Sequence, residues 1–438
     1  MKKNLESLIL GTGILFTGSK NILPQEYFNR IVIFFKNFLV LSQKKKKIPE
    51  HYISTSRHKL DRYSTNNITG LLLFSFSLIH FSNFKKKAIE FSKDIISFLK
   101  FLGDSFFWDL KKKYFQIYTM LSFGILYFGK KNLSFVISIY LNEIENKKIR
   151  TILRFFIQIC SHVGTSDLKL ITSILKDIEN YSFKKTKRLQ RLHLIQHKFK
   201  KNKNIFYNRT GLVPINDYEE KKTFHFVRLK VKIGILGLAI LSLNDDDTKQ
   251  MIFRIFSYFF SNNDLEYSRI CILTFGLFFL SDPEPSSVDF LIKLTGSKDW
   301  KTVKNSIFSL GLIGAGTNNS RIINALNYLG KFYISKIEFS KTNKGFSPNK
   351  RKFLFGLKVK SILSTLRISQ GLVSSSKNFL TIRQFFKGQT FDFLKIASLL
   401  CVLEGFFDSG FIGFESVPIS IFLLVILFQT KTVCSLSK

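Results

Sequence analysis

The chain has 438 residues, 45% of them hydrophobic, and carries 67 Lys+Arg against 30 Asp+Glu, a net charge of +37. That content supports a large core and allows two or three domains, while Cys160, Cys271, Cys401 and Cys434, widely spaced with no CxxC pair, speak against a disulfide framework or a zinc site and suit a reducing compartment. The charge invites nucleic acid, anionic lipid or an acidic partner, but the 50 Phe and the abundant Lys, Ile and Asn are what AT-rich codon usage would supply without selection for a basic surface.

In chain order, the opening MKKNLESLILGTGILFTGSK is an apolar run broken by glycines, and it reads as structure rather than as a signal peptide. Residues 1–40 form a first helical unit, whose second helix starts near Pro24. Residues 41–66 lose the apolar rhythm and read as a basic insertion. Ile68–Lys100, Asp104–Ile144 and Thr151–Asn180 are further units, the last ending its first helix at Gly164-Thr-Ser-Asp167. A second basic insertion covers 183–222, with Lys198–Lys203 its most electropositive part. Three units then run from Phe226 through Ser335. The expected division is a repeat array over 1–338, a loop over 339–352 with Gly345 and Pro348, and a terminal repeat with a closing apolar segment over 353–438. A short strand is expected within Ile421–Phe428, and everything else is helical. No apolar run reaches the ~18–20 residues of a membrane span.

The units share one pattern, clearest in Asp299–Ser335. Val303, Ile307 and Leu310 stand at helical spacing, Gly316 sits where a left-handed residue would end the helix, and Thr317, Asn318 or Asn319 can cap the next one. Ile322, Ile323, Leu326 and Leu329 continue the rhythm. Aligned on the small residue five before the turn, the copies are Gly13 to Gly18, Gly124 to Gly129, Gly237 to Ser242, Gly276 to Ser281 and Gly311 to Gly316. Weaker ones are Ser75 to His80, Ile159 to Gly164 and Ile362 to Arg367. The steps 124→159, 237→276 and 276→311 are 35, 39 and 35 residues, the size of a helical-hairpin repeat. Gly311 and Gly314 each cost roughly 1 kcal/mol relative to Ala inside a helix, so they are expected where a neighbouring helix comes close. The fold class is therefore all-α: stacked helix–turn–helix repeats forming a curved or closed toroidal solenoid.

Motifs for chemistry are weak. Gly13-x4-Gly18-Ser-Lys20 and Gly296-Ser-Lys298 have the wrong order for a phosphate loop. His193 and His197 stand at i, i+4 without the glutamate of a hydrolytic zinc helix. Asp245-Asp246-Asp247 suits a helix N-terminus. The lysine runs lack the interleaved aromatics of a dedicated RNA module. No enzyme, cofactor, metal, membrane span or specific nucleic-acid site is expected.

Asn305-Ser-Ile-Phe-Ser-Leu-Gly-Leu-Ile-Gly-Ala-Gly-Thr-Asn-Asn-Ser-Arg321 resembles the most distinctive stretch of a known family, the large proteasome/cyclosome-repeat scaffolds of the proteasome regulatory particle, and within it non-ATPase subunit 1 more than its sister subunit 2. Gly18-Ser-Lys-Asn21, Leu121–Gly129, Gly164-Thr-Ser-Asp167, Ile235–Leu241 and Leu280-Ser-Asp-Pro283 follow in that family's order. The resemblance implies a non-catalytic scaffold in a large hetero-oligomer of cytoplasm and nucleus. It also implies a toroid resting on the coiled coil of proteasome ATPase subunits and receiving ubiquitin or ubiquitin-like domains. On that resemblance, the long N-terminal helical domain and β-rich C-terminal end of the family are expected to be missing here. The segment matching the family's acidic ubiquitin-like docking surface reads Phe84-Lys85-Lys86-Lys87, then Glu90, Ser92, Asp94 and Ile96. Its lysines would repel the basic rim of a ubiquitin-like domain, so docking there is expected to be weak.

Overall fold

A computed structural model of the chain describes residues 113–144, 146–180, 229–261, 265–342, 350–375, 380–382 and 429–430, together with scattered positions between 70 and 96. The described helices are α1 (Lys113–Leu126), α2 (Lys131–Leu141), α3 (Lys147–Ser161), α4 (168–180), α5 (229–241), α6 (Asp246–Ser261), α7 (Leu265–Phe278), α8 (Pro285–Thr295), α9 (Trp300–Ile313), α10 (Ser320–Thr342) and α11 (Lys350–Ser374). β1 (Leu380–Thr381) and β2 (Gln429–Thr430) form a two-residue antiparallel pair, Leu380 opposite Thr430. The architecture is all-α, built from helical hairpins, and β2 directly follows the segment in which a strand was expected. Ile421–Phe428 itself, Gly13, Gly18 and both basic insertions lie outside the described residues.

Helix starts are set by short polar side chains accepting the first free N–H groups. Asn146 Oδ1 accepts from Lys148 N at 3.0 Å, Asp167 Oδ1 from Lys169 N at 3.0 Å, and Asp245 Oδ1 from Asp247 N at 3.2 Å. Of the three candidate caps at the central turn, Asn319 does the work, accepting from Arg321 N at 3.0 Å. α8 begins instead with Pro285, whose missing N–H would be unbonded there in any case.

The two helices of a hairpin bury different amounts of surface. α9 is buried around nearly its whole circumference, including Thr302, Asn305, Ser306 and Ser309. The apolar stripe expected from Val303, Ile307 and Leu310 is thus only part of a helix packed on every side. α10 buries a single face through Ile322, Leu326 and Tyr333. Ile337 extends that face; α10 runs to Thr342 and α11 starts at Lys350, so residues 339–342 and 350–352 of the expected loop are helical, while 343–349 lie outside the described residues.

The chain divides into two compact units, residues 1–161 with 275–438, and residues 162–274. In the first, α9 packs on α8 and α11, α10 on α11, and α3 on α1 and α2. Its core includes Phe74, Phe123, Tyr127, Ile307, Phe308 and Leu310. In the second, Ile171, Ile174 and Ile178 of α4 bury one stripe, and Leu238, Ala239 and Leu241 of α5 are fully enclosed. Thiols Cys160 and Cys271 are buried, which pushes both pKa values up and leaves them inert.

Tyr127 is fully buried, and its hydroxyl pairs with Ser92 Oγ at 2.7 Å. Burial pushes its pKa from 10.0 up to about 12, against the opposing pull of that hydrogen bond. An unfolded chain loses this proton near pH 10 while the folded one keeps it, so stability falls as pH rises from 10 towards 12. Urea unfolding between pH 8 and 11.5 checks this. Tyr127→Phe should be less stable by about 1 kcal/mol at pH 8, and its stability should decline less steeply above pH 10.

Candidate functional site: the turns between paired helices

The hairpin turns are built alike. In each, the N–H following the turn's last residue donates back three residues: Lys130 to Tyr127 O, Thr165 to His162 O, Asp245 to Ser242 O, Asp282 to Phe279 O and Thr317 to Gly314 O, at 3.0–3.4 Å. The turn residue is thus Gly129, Gly164, Asn244, Ser281 or Gly316. Four of these are left-handed, with φ of 70°, 63°, 54° and 68° for Gly129, Gly164, Ser281 and Gly316. Glycine reaches that region without steric cost, whereas an L side chain loses roughly 1–2 kcal/mol.

Each left-handed turn bonds to the next hairpin. Gly129 N donates to Cys160 O at 3.0 Å, Gly164 N to Ile240 O at 3.0 Å, Ser281 N to Leu312 O at 3.2 Å, and Gly316 N to Leu372 O at 2.9 Å. The acceptors are carbonyls at helix ends, where intrahelical donors run out; Leu312 O also accepts from Ala315 N at 3.3 Å and Leu372 O from Ser375 Oγ at 2.7 Å. Two turns add a second rung, Ser166 N to Leu241 O at 3.1 Å and Asn318 N to Val373 O at 3.3 Å. Ser166 and Asn318 are themselves left-handed, at φ of 50° and 51°. At Ser281-Asp-Pro283 the second rung is impossible, because proline has no N–H.

This ladder fixes the register, and it corrects two alignments. The Asp245–Ser242 bond makes Asn244, not Ser242, the counterpart of Gly316. Ala239 then stands five residues before the turn, and Gly237 takes the place held by Ser309 in α9. Position 367 is not a turn at all, since α11 continues to Ser374 and the acceptors Leu372 and Val373 place its end there. The sequence signal behind the first slip is the extra length of Leu-Ser-Leu-Asn before Asp245, which spacing from Gly237 cannot register.

The small residue five before the turn is a contact point. A Cβ on Gly276 would lie 3.1 Å from Ser309 Cα, and one on Gly311 would lie 2.8 Å from Ser369 Cα and 2.7 Å from its Cβ. On Gly124 it would run into the Phe156 ring and lie 3.1 Å from Cys160 Sγ. Gly314 lies at the C-cap of α9, with Ile322 and Val373 side chains 2.9 Å from an added Cβ. Ser369 Oγ also donates to Ile307 O at 2.9 Å, a bond running from α11 to α9. The glycines let one helix backbone settle against the next, and the turn rungs lock that approach.

Ser281 stands where the other left-handed turns carry glycine, and its hydroxyl has a use. Ile382 N, just beyond β1, donates to Ser281 Oγ at 3.0 Å, with Ile382 itself buried. Ser281→Ala should keep the φ strain and leave a buried N–H unbonded, for a loss of about 1–3 kcal/mol. Ser281→Gly loses the same bond but relieves the strain and should be the less damaging of the two. Thermal unfolding of both variants checks the order.

The docking segment fares differently from expectation. Ser92 is fully buried against Tyr127 and Ile96 is buried in the core, so neither can contact a docked domain. Lys85, Glu90 and Asp94 lie outside the described residues. Lys93 is exposed and stands 4.5 Å from the Tyr140 ring centroid. Gly296-Ser-Lys298 follows the C-terminus of α8, where carbonyls face the turn and an anion is disfavoured. His193 and His197 lie outside the described residues, and among the described ones no group of three or more His, Cys, Asp or Glu could hold a metal. No described helix is long and apolar enough to cross a membrane.

The missed features were the second rung and its left-handed donors. Their signal is legible afterwards as the matched tripeptides Gly164-Thr-Ser166 and Gly316-Thr-Asn318.

Repeated hairpins, locked through left-handed turns onto the ends of the next hairpin's first helix, define a helical-repeat protein. No family model matches the chain. It is 27% identical to the 26S proteasome regulatory subunit RPN1 of Candida glabrata over 179 residues, 41% of this chain and 16% of that protein. It is 24% identical to the corresponding subunit rpn-1 of Neurospora crassa over 293 residues, 67% of this chain and 26% of that one. Against 26S proteasome non-ATPase regulatory subunit 2 homolog A of Arabidopsis thaliana the identity is 30% over 152 residues, 35% of this chain and 14% of the relative. The two names denote one subunit under different numbering, and the chain is a divergent relative of it. The matched stretches span about a quarter or less of these relatives' length.

Proposed function

We propose that this chain is a non-catalytic scaffold subunit in the base of the 26S proteasome regulatory particle, where it supports assembly of the ATPase ring and ubiquitin-dependent degradation. What supports the reading is the ladder of interlocked left-handed turns together with the likeness of the chain to proteasome regulatory subunits. A surface made of repeating hairpins offers shape rather than reactive groups, as a scaffold requires. Its partners on this reading are the coiled coil of the proteasome ATPases and, weakly, ubiquitin or ubiquitin-like domains, in cytoplasm and nucleus. The weakness follows from Ser92 and Ile96 being used in the core and from the Lys85–Lys87 run beside them.

Affinity purification of the tagged chain with mass spectrometry tests the assignment. Proteasome ATPase subunits should co-purify in stable amounts. Recovery of RNA with a steep salt dependence and no ATPases would replace it with a basic RNA-binding repeat protein.

A further inference from the structure

α10 carries two apolar faces, and the fold uses one of them. Ile322, Leu326 and Tyr333 are buried on the inner side. On the outer side Tyr328 is 72% exposed and Phe332 41% exposed. Standing at i and i+4, their rings are neighbours along the helix. With Ala325 before them and Ser335 after, the spacing is 3-4-3, that of the seam by which one helix packs along another. Exposed Ile334 falls on a different side of α10.

The seam is open because α10 outruns its neighbour. α8 and α10 are the second helices of successive hairpins, each beginning four residues past its turn residue, Ser281 or Gly316. Asp289 of α8 and Arg321 of α10 form an ion pair near the two starts. α8 then stops after 11 residues, whereas α10 runs for 23. The excess is about three turns, on the order of 18 Å of helix. Tyr328 corresponds in the repeat to the last turn of α8, and Phe332 and Ser335 come after its end.

Charge selects what can lie there. Lys331 and Lys336 flank the seam on its two sides, and Lys336 Nζ is 4.1 Å from the Phe332 ring centroid. Both lysines are exposed, and among the described residues no carboxylate is paired with either. Glu338, the sole carboxylate of α10, stands about 120° round the helix from Phe332. The open face is thus aromatic along its middle and positive at its edges.

We propose that the seam from Ala325 to Ser335 docks an acidic amphipathic helix of another protein. Apolar side chains of that helix, at matching 4-3 spacing, cover Tyr328 and Phe332, and its carboxylates face Lys331 and Lys336. The rings supply the buried area, and the lysines set the sign and direction of the partner. A second copy of the chain fits less well, because self-docking brings like charges together. A bilayer fits less well too, since an interfacial helix needs a broad apolar face and that of α10 is buried in the fold. The interface does not depend on membership of the proteasome, and its test uses the chain alone.

A fluorescently labelled synthetic helical peptide, with leucine at 4-3 spacing and glutamate at the flanking positions, is titrated with the full chain and followed by anisotropy. Saturable binding is expected, weakened about tenfold or more by Tyr328→Ala with Phe332→Ala. Lys331→Glu with Lys336→Glu should also weaken it about tenfold. Lys200→Gln with Lys201→Gln, in the most basic run, should leave it unchanged. A peptide of the same composition with its leucines scattered round the helix should bind about tenfold more weakly, which separates docking from general attraction to a chain of net charge +37. Unchanged thermal midpoints show that the variants remain folded. No saturable binding, equal binding of the scattered peptide, or loss in the Lys200/Lys201 control as large as in the α10 variants each overturns the proposal. So does binding to phosphatidylserine vesicles or single-stranded RNA, or self-association, that is lost with Tyr328 and Phe332 while peptide binding is kept.

Discussion

Replacing Gly311 by valine should lower the stability of the first unit by about 3 kcal/mol or more, near or above the top of the range for overpacked cores. The atoms an added Cβ would strike are Ser369 Cα at 2.8 Å and Ser369 Cβ at 2.7 Å, and a backbone atom cannot swing aside as a chain end can. Alanine provides the sharper test, because two effects oppose. It is the better helix former by about 1 kcal/mol, yet it forces α9 and α11 apart, for a net loss of about 1–2 kcal/mol. Gly371 is the control: it lies in α11 with nothing within 4 Å of an added Cβ, so Gly371→Ala should gain up to about 1 kcal/mol. Urea unfolding of the three variants decides the matter. A Gly311→Ala protein as stable as wild type would mean that the close approach of α9 and α11 is not required.

Phe308→Ala should cost about 3–5 kcal/mol, since the ring is fully enclosed in a helix packed on several sides and the cavity cannot collapse easily. Phe332, on the solvent side of α10 and 41% exposed, should by contrast tolerate alanine within about 0.5 kcal/mol. Both are phenylalanines in a chain holding 50 of them, so the pair separates core selection from compositional drift. Hydrogen exchange should place the loss of protection in Phe308→Ala at α9 and α11. A cost below 1 kcal/mol for Phe308→Ala would show that α9 is not a core helix.

Much of this architecture could be read from residue order. Helical spacing marked the helices, Gly316 marked a left-handed end, Gly129 and Gly164 marked turns, and Asn319 and Asp245 were among the residues that marked starts, because these choices are made within a few residues of chain. Reading failed where length varied locally. The Gly237 copy slipped by two residues, and the Ile362–Arg367 copy named a turn in mid-helix. In both, small residues stood at plausible spacing without the backbone bond that defines the turn. The docking segment failed for another reason: Ser92 and Ile96 stand in a basic stretch, and only the packing shows both to be buried, Ser92 against Tyr127, 35 positions away in sequence.

By itself the sequence determined the fold class, the hairpin rhythm and the likeness to proteasome scaffolds, since each depends on local propensity and on motifs of contiguous residues. Tertiary structure alone decided which glycine is indispensable. Gly311 and Gly371 both occupy helices, yet one meets the backbone of Ser369 and the other meets nothing. It also decided which turn carries two rungs, why Ser281 tolerates a left-handed backbone, and that Lys301 and Lys358 share one indole. Those outcomes depend on distances between residues remote in sequence, and such distances exist only once the helices have packed.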